Sequence, residues 1–341
     1  MKKQLQKNTA KLKRAGFNEK QVTLPDGTLL NYGEGPAGGD PLFLIHGQMV
    51  LWQDYHKVLA ELAKSFHVFA IDCHGHGQSC KDPKKYTCKA MGEDFLWFIK
   101  EVITKPVIVS GHSSGGLLTA WLGANGGSWV RGIVIEDAPF FSTLPKRLPM
   151  SYAGKEFAVV HDFLNQSEEP FYARYHLHHA YMKELVGEKP WTNMIIKPAE
   201  RYWKKHPGVL PKIWYLPRMI QRVYQLSACW QDQTGYYDLR FGDAFYTQSW
   251  FEGFDQIETM KQISCPNVLL HTAAPKMSAP SYFDQNGVLL AAMSAEDALN
   301  VHSLILNNEL IDGFASMHDI HEECPQEFVK VLNDFKAKLA V

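Results

Sequence analysis

The run from Pro106 to Leu118 most constrains the fold, because it passes from a strand-like segment through one serine into a helix-like segment. The β-branched residues 107–109 suit a fully buried strand, and glycines stand on both sides of Ser113. Gly111-His112-Ser113-Ser114-Gly115 fits G-x-S-x-G, a strand–turn–helix corner that exposes a serine above a sheet. This context predicts Ser113 as a nucleophile, and a plain glycine-rich turn is the alternative.

Composition narrows the class of protein. The 341 residues allow two average domains or one large α/β domain with an insertion, and nine tryptophans among 45% hydrophobic residues can fill a sizeable core. A net charge of −1 gives no preference for nucleic acid or anionic membranes. The segment 1–14 is rich in lysine and arginine but is followed by no apolar segment of a signal peptide, so we expect a solvated helix or a frayed tail there, with a surface anchor as the second alternative.

The six cysteines are scattered without the paired spacing of metal ligands, and no apolar run reaches the length of a membrane span. We therefore expect a cytoplasmic protein with reduced thiols. Histidines 176, 178 and 179 lack a recognisable zinc pattern and are expected to be ordinary side chains. No metal, cofactor or nucleic acid is predicted, and the sequence does not indicate an oligomeric state.

Strands alternate with helices on both sides of the elbow. The turn Pro25-Asp26-Gly27 predicts a β-hairpin. The other predicted elements are strands at 41–45, 67–72, 107–112, 132–136, 267–271 and 309–314, and helices at 52–65, 91–103, 114–125, 295–306 and 325–339. The pattern predicts a mostly parallel sheet with helices on both faces, which binds ligands beyond the carboxyl ends of its strands.

Residues 140–254 interrupt this alternation. They contain no clear apolar strand and are rich in aromatic residues and histidine, and prolines at 170, 190, 198, 207, 211 and 217 divide them into short helices. We expect a core in two parts, residues 1–139 and 255–341, with a helical cap inserted between them. The aromatic content of the cap predicts a largely apolar pocket for a small-molecule substrate.

Four separated motifs resemble those of the α/β-hydrolase family and follow in the family's order. They are His46-Gly47-Gln48, the turn from Asp72 to Ser79, the Gly111–Gly115 elbow, and His318 to Phe328, which is similar to H-x-x-x-x-E-x-P-E-x-F with glutamine for one glutamate. The resemblance covers about residues 21–139 and 255–341. It implies the α/β-hydrolase fold, Ser113 as nucleophile, His318 as base, and an oxyanion hole formed by the backbone N–H groups of Gln48 and Ser114.

The carboxylate that should orient His318 departs from the family's commoner pattern, because residues 272–277, where an aspartate is usual, contain no acid. Some members, including certain haloalkane dehalogenases, carry the acid after the strand that follows the elbow. Asp137 has the matching separation from Ser113 (137 − 113 = 24). We favour Asp137 over Glu136, whose side chain has the opposite strand parity, and Asp284 is the third candidate.

Together these residues predict a serine hydrolase that cleaves a carboxylic ester or lactone, carrying an apolar or aromatic group, through an acyl-enzyme on Ser113. A serine hydroxyl becomes a useful nucleophile when a histidine, oriented by a carboxylate, takes its proton. The alternatives are a carbon–carbon bond or amide hydrolase that uses the same residues, and a small-ligand receptor that retains them. Dehalogenases and epoxide hydrolases are disfavoured, since they attack with aspartate.

Overall fold

The computed structural model describes the backbone of residues 2–207 and 236–340, and it is built around one eight-stranded sheet. The strands are β1 (Asn18–Thr23), β2 (Leu29–Glu34), β3 (Asp40–Ile45), β4 (Phe66–Ile71), β5 (Val107–His112), β6 (Val130–Glu136), β7 (Asn267–Thr272) and β8 (Glu309–Phe314). Their order across the sheet is β1-β2-β4-β3-β5-β6-β7-β8. Only the pairs β1–β2 and β2–β4 are antiparallel, so the predicted hairpin and the mostly parallel sheet are confirmed.

The register of the central strands brings three loops to one edge of the sheet. Ile45 at the end of β3 lies beside Gly111 in β5, and His112 at the end of β5 lies beside Glu136 in β6. Because β3, β5 and β6 are parallel, their carboxyl ends lie at the same edge of the sheet. The segments that follow β3, β5 and β6 therefore begin side by side.

Helices cover both faces of the sheet. Those in the core are α1 (Lys2–Arg14), α2 (Leu59–Leu62), α3 (Cys88–Phe98), α4 (Ser114–Asn125), α12 (Ala295–Leu304), α13 (Ile320–Glu323) and α14 (Pro325–Leu339). Two large clusters of buried apolar side chains fill the space between them and the two faces. The doubly covered sheet explains why its central strands β5, β6 and β7 are buried along nearly their whole length.

Three helix predictions need correction. The helix expected over 52–65 is divided into a 3₁₀-helix, Trp52–Lys57, and the short α2. The helix expected over 91–103 starts earlier, because the Thr87 side chain caps it by accepting the N–H of Ala90, and it ends in a π-helical turn, Ile99–Ile103. The basic start is also more than a solvated helix, since Leu12 of α1 is buried against the core while its basic residues from Lys7 onward stay exposed.

The described parts of the chain between β6 and β7 contain helices joined by turns and loops, with isolated bridges but no extended strand, as expected for the predicted cap. The helices are α5 (Tyr152–Gln166), α6 (Tyr172–His179), α7 (Met182–Val186), α8 (Glu188–Trp191), α9 (Lys197–Lys205), α10 (Leu239–Tyr246) and α11 (Gln256–Gln262). Residues 208–235, with the predicted helix breaks at 211 and 217, lie outside the described residues. The cap limits at 140 and 254 stay a prediction. Among the described helices, none combines the length and apolarity needed to cross a membrane.

Candidate active site

Ser113 sits on a strained corner between β5 and α4. Its backbone angles, φ 55° and ψ −123°, are unfavourable for a residue with a side chain and cost on the order of 1–3 kcal/mol. Its N–H donates to the carbonyl of Glu136 at 2.9 Å, which fixes the corner to β6. A Cβ atom at Gly115 would lie 2.3 Å from the carbonyl oxygen of Ile45, so only glycine permits this approach of helix to strand. The local sequence therefore holds Ser113 at the edge where the three loops begin.

Asp137 follows β6 directly and is fully buried. Its Oδ2 accepts the Nδ1–H of His318 at 2.7 Å, although the two residues are 181 positions apart in the chain. Within the described residues its other oxygen, Oδ1, has no hydrogen-bond partner. Because Nδ1 of His318 carries the donated proton, the neutral ring presents its Nε2 as an acceptor.

The environment of His318 favours its protonated form. Burial lowers its pKa, but the hydrogen bond and the negative charge of Asp137 outweigh burial and raise the pKa from 6.5 to about 9. The side chain nevertheless remains 36% exposed. His318 can therefore exchange a proton with a group at the edge of the sheet.

The other two acids considered from the sequence contact different partners. The Glu136 carboxylate is fully buried and accepts from Nδ1 of His321 at 2.9 Å. Oδ2 of Asp284 accepts a hydrogen bond from the Tyr181 hydroxyl at 2.6 Å, and its Oδ1 accepts hydrogen bonds from backbone N–H groups of its own turn. Among the contacts described for these two carboxylates, none reaches His318 at hydrogen-bond distance, whereas that of Asp137 does.

His112 connects the elbow to the loop of the catalytic candidate His318. The centres of the two rings are 4.4 Å apart, and Ser113 is the next residue after His112. Burial and the neighbouring His318 and His321 lower the pKa of His112, so its ring is neutral. The structure thus brings the loops of Ser113, Asp137 and His318 into one site.

The loop after β3 passes directly against the serine. A Cβ atom placed on Gly47 would lie 3.0 Å from Cβ of Ser113 and 2.9 Å from Nδ1 of His112, so glycine leaves the space that the loop needs. The N–H of Ser114 opens α4, where the first amides of a helix lack an intrahelical acceptor. Within the described chain no atom accepts from the N–H of Gln48 either. Among the contacts described for residues 2–207 and 236–340, neither backbone N–H proposed for the oxyanion hole has an acceptor.

Two residues that the sequence did not single out for this role hold that loop. His76 accepts the N–H of Met49 on its Nε2 at 3.0 Å while its Nδ1–H donates to the carbonyl of His74. Burial lowers the pKa of His76 well below 6.5, which keeps Nε2 free to accept. The hydroxyl of Tyr237, fully buried, donates to Oε1 of Gln48 at 3.1 Å. His76 occupies a variable position of the D-x-H-G-x-G turn, so the motif marks its loop but not the residue, and no local signal marks Tyr237.

Two of the cap histidines contact glutamates. Nε2 of His176 lies 2.5 Å from Oε2 of Glu156, and Nε2 of His178 lies 3.1 Å from Oε1 of Glu200. In residues 2–207 and 236–340 no three side chains of histidine, cysteine, aspartate or glutamate are grouped to hold a metal ion.

Comparison with known proteins relates most of the chain to one family. The family model described as alpha/beta hydrolase fold matches residues 40–337. The (E)-2-((N-methylformamido)methylene)succinate hydrolase of Acinetobacter baylyi is 35% identical over 85 residues, which are 24% of this chain and 31% of that protein. The curated relatives with the strongest matches are thus aligned over only about a third of their length.

Solved structures extend the likeness to the full fold. A hydrolase from Pseudomonas aeruginosa PA01 superposes with a TM-score of 0.62 at 17% identity, over 93% of this chain and 98% of that one. An esterase from Rhodococcus sp. ECU1013 superposes with a TM-score of 0.61 at 22% identity, over 95% and 99%. Together with the family match over most of the chain, the sheet order and the elbow geometry, this establishes that the protein belongs to the α/β-hydrolase fold family.

Proposed function

We propose that this protein is a serine hydrolase that cleaves a carboxylic ester or lactone through an acyl-enzyme on Ser113. The observation that carries the proposal is the 2.7 Å hydrogen bond between His318 and the buried Asp137, on the sheet edge where the elbow exposes Ser113. A histidine oriented by a carboxylate beside a strained serine is the arrangement that nucleophilic acyl transfer needs.

The chemistry follows from these contacts. Nε2 of His318 takes the hydroxyl proton as Oγ of Ser113 attacks the carbonyl carbon, and Asp137 stabilises the imidazolium that forms. The N–H groups of Gln48 and Ser114 stabilise the negative carbonyl oxygen, where losing one donor typically costs about a hundredfold to a thousandfold in rate. His318 then protonates the departing alcohol, which leaves the acyl group on Ser113. A water molecule, deprotonated by the same Nε2, releases the acid and restores the serine.

An apolar or aromatic group on the substrate is supported by the side chains next to the oxyanion loop. The ring of Tyr237 packs 4.8 Å from that of His76 and 6.4 Å from that of Phe241, and Phe241 in turn packs on Tyr86. Tyr237 and Phe241 of the cap therefore place aromatic rings against His76, whose Nε2 accepts from Met49 of the oxyanion loop. The esterase and the succinate-derivative hydrolase that the chain resembles are in line with cleavage at a carbonyl.

A panel of esters, lactones, anilides and vinylogous diketones, followed over many turnovers, tests the bond class. We expect repeated turnover of esters or lactones, with higher kcat/KM for those carrying a phenyl or long acyl group than for acetyl analogues. Faster turnover of anilides or diketones would replace the proposal by amide or carbon–carbon bond hydrolysis. Tight binding of a compound without turnover would favour a receptor.

The pH dependence of kcat/KM should report His318. The base must be unprotonated to accept the serine proton, and the hydrogen bond and charge of Asp137 raise its pKa above the ordinary 6.5 despite burial. Activity should therefore fall as the pH drops through a midpoint well above 6.5, towards 9. Initial rates with an uncharged aryl ester between about pH 5 and pH 10, corrected for spontaneous hydrolysis, measure this midpoint. A midpoint at or below 6.5 would contradict this assignment.

Replacing Tyr237 by phenylalanine should loosen the oxyanion loop. The variant keeps the ring that packs on His76 but loses the hydroxyl that holds Oε1 of Gln48. One such hydrogen bond is worth about 1 kcal/mol, so kcat should fall about fivefold while KM changes little. Tyr86→Phe is the matched control, because the Tyr86 hydroxyl donates to Asp238 rather than to the loop. Equal losses of kcat in the two variants would count against a specific role for Tyr237.

A further inference from the structure

A second histidine, His321, lies between two carboxylates behind the site. Its Nδ1 is 2.9 and 3.0 Å from the two oxygens of Glu136, and its Nε2 is 3.1 Å from Oδ2 of Asp54. The side chains of His321 and Glu136 are fully buried, and that of Asp54 is 18% exposed. A neutral imidazole has only one N–H, so carboxylates on both nitrogens require the doubly protonated, cationic ring.

This group joins the three segments that form the candidate site. Glu136 immediately precedes Asp137, and its carbonyl holds the N–H of Ser113. Asp54 lies in the 3₁₀-helix Trp52–Lys57, which follows the oxyanion loop. His321 is three residues beyond His318, and its own N–H donates to Glu136 at 2.8 Å. One buried cation therefore fixes the elbow, the oxyanion loop and the histidine loop to each other.

We propose that His321, clamped by Glu136 and Asp54, is a positioning residue that holds His318 and the Ser113 elbow in reactive geometry. The inference rests on the proposed function of that site. It assigns Glu136 a structural and electrostatic task distinct from that of Asp137.

The groups around His321 show how its charge is balanced by the carboxylates of Glu136 and Asp54. The polar side chains that lie near it are listed by element: His46 after β3, Asp54 and Tyr55 from the 3₁₀-helix, Glu136 from β6, His112 from β5, and His318 and Asp319 from its own loop. Burial lowers the pKa of His112, whereas His321, which lies between the carboxylates of Glu136 and Asp54, is the ring placed to balance the buried Glu136. Burial raises the pKa of Glu136 even beside His321, so loss of His321 leaves a buried carboxyl group without its cationic partner next to Asp137.

Variants that remove opposite charges should have a common effect on rate and opposite effects on pH dependence. Glu136→Gln and His321→Gln should each lower kcat about tenfold to a hundredfold with KM within about threefold, because a small misplacement of reacting groups has effects of this size. Glu136→Gln removes an anion that stabilises protonated His318, so the acidic limb of the kcat/KM profile should move to lower pH. His321→Gln removes a cation, so the limb should move to higher pH.

The matched control is Asp243→Asn, which removes the carboxylate of another acid–histidine pair, 2.7 Å from His161 in the cap. It should leave kcat and the pH profile unchanged. If the variants at the fully buried positions Glu136 and His321 fail to fold, Asp54→Asn replaces them in this test, because the Asp54 side chain is partly exposed. The inference is overturned if the folded variants keep kcat within about twofold, or if both charge changes move the limb in the same direction.

A spectroscopic readout separates this inference from the proposed function. In the wild-type protein, ¹⁵N NMR of histidine side chains should show His321 with both ring nitrogens protonated across neutral pH, assigned by its loss in His321→Gln. A single-proton ring at neutral pH would overturn the clamp even in an active enzyme. A doubly protonated ring in a protein that hydrolyses none of the panel would leave the clamp standing and reject the proposed function and the positioning role.

Discussion

Replacing Ser113 by alanine is expected to lower kcat for ester hydrolysis by about five to six orders of magnitude. The variant lacks the nucleophile, so His318 has no hydroxyl to deprotonate and no acyl-enzyme can form. What remains is the catalysis that substrate binding and the oxyanion hole provide by themselves. Release of p-nitrophenol from a short aryl ester, followed through many turnovers with wild-type and variant protein, measures the loss.

Ser110→Ala is the control for the removal of a hydroxyl from this region. Ser110 is fully buried in β5, three residues before the nucleophile, and has no role in the proposed chemistry. We expect its activity to stay within about threefold of the wild type. If Ser113→Ala retained more than about one hundredth of the wild-type rate, hydrolysis would not depend on this serine.

Asp137→Asn is expected to reduce kcat by about 10⁴-fold. The amide preserves the volume but removes the charge that stabilises the imidazolium, and its NH₂ group can turn His318 to the wrong tautomer. The pKa of His318 should also fall, since the hydrogen bond and charge of Asp137 are what raise it against burial. The midpoint of the acidic limb of the pH profile should therefore shift to lower pH, in addition to the loss of rate. Steady-state kinetics across pH measure both changes.

Glu136→Gln separates the two neighbouring acids. It changes a carboxylate that contacts His321 instead of His318, so its loss of rate should be at least a hundredfold smaller than that of Asp137→Asn. Asp284→Asn, which changes a carboxylate bonded to Tyr181, should have little effect. Equal losses for Asp137→Asn and Glu136→Gln, or a larger loss for Asp284→Asn, would contradict the assignment of Asp137 as the orienting acid.

Elements with strong local signals were predicted well from the sequence. The elbow strand and helix are set by β-branched residues, the glycines around Ser113 and the helix formers that follow, and they occur as β5 and α4. The last helix begins at Pro325 and ends at Leu339 as expected, because proline suits a first helical position. The break at Val58 in the helix expected after Trp52 was missed, since apolar spacing alone does not distinguish a 3₁₀-helix followed by one α-turn from a single helix.

The choice between Asp137 and Glu136 depended on the alternation of side chains along a strand, which predicts only part of the observed arrangement. Both side chains are fully buried, so burial does not distinguish them. They contact different histidines, His318 and His321, as neighbours of opposite parity can. Asp137 itself leaves the strand with φ 40°, a left-handed conformation that parity does not predict. The histidine that each acid contacts depends on the fold of a segment about 180 residues later.

Contacts that join distant segments could not be predicted in this way. Tyr237 is 189 positions from Gln48, and Asp54 is 267 positions from His321, and neither pair belongs to a local motif. One signal was nonetheless available, because a glutamate at the end of a buried strand needs a hydrogen-bonded or cationic partner. Glu136 is such a residue, and a histidine near His318 could have been considered as its partner. The structure shows that the partner is His321.

The measurement that tests the central claim most directly is mass spectrometry of the protein quenched in acid while it turns over a p-nitrophenyl ester. The account predicts a protein mass increased by one acyl group, with the modification mapped to the peptide that contains Ser113 and absent from Ser113→Ala. Asp137→Asn, which slows deacylation as well as acylation, should still be modified at the same residue. Sustained turnover with no acylated protein under conditions that slow deacylation, or an acyl group mapped to another residue, would contradict it.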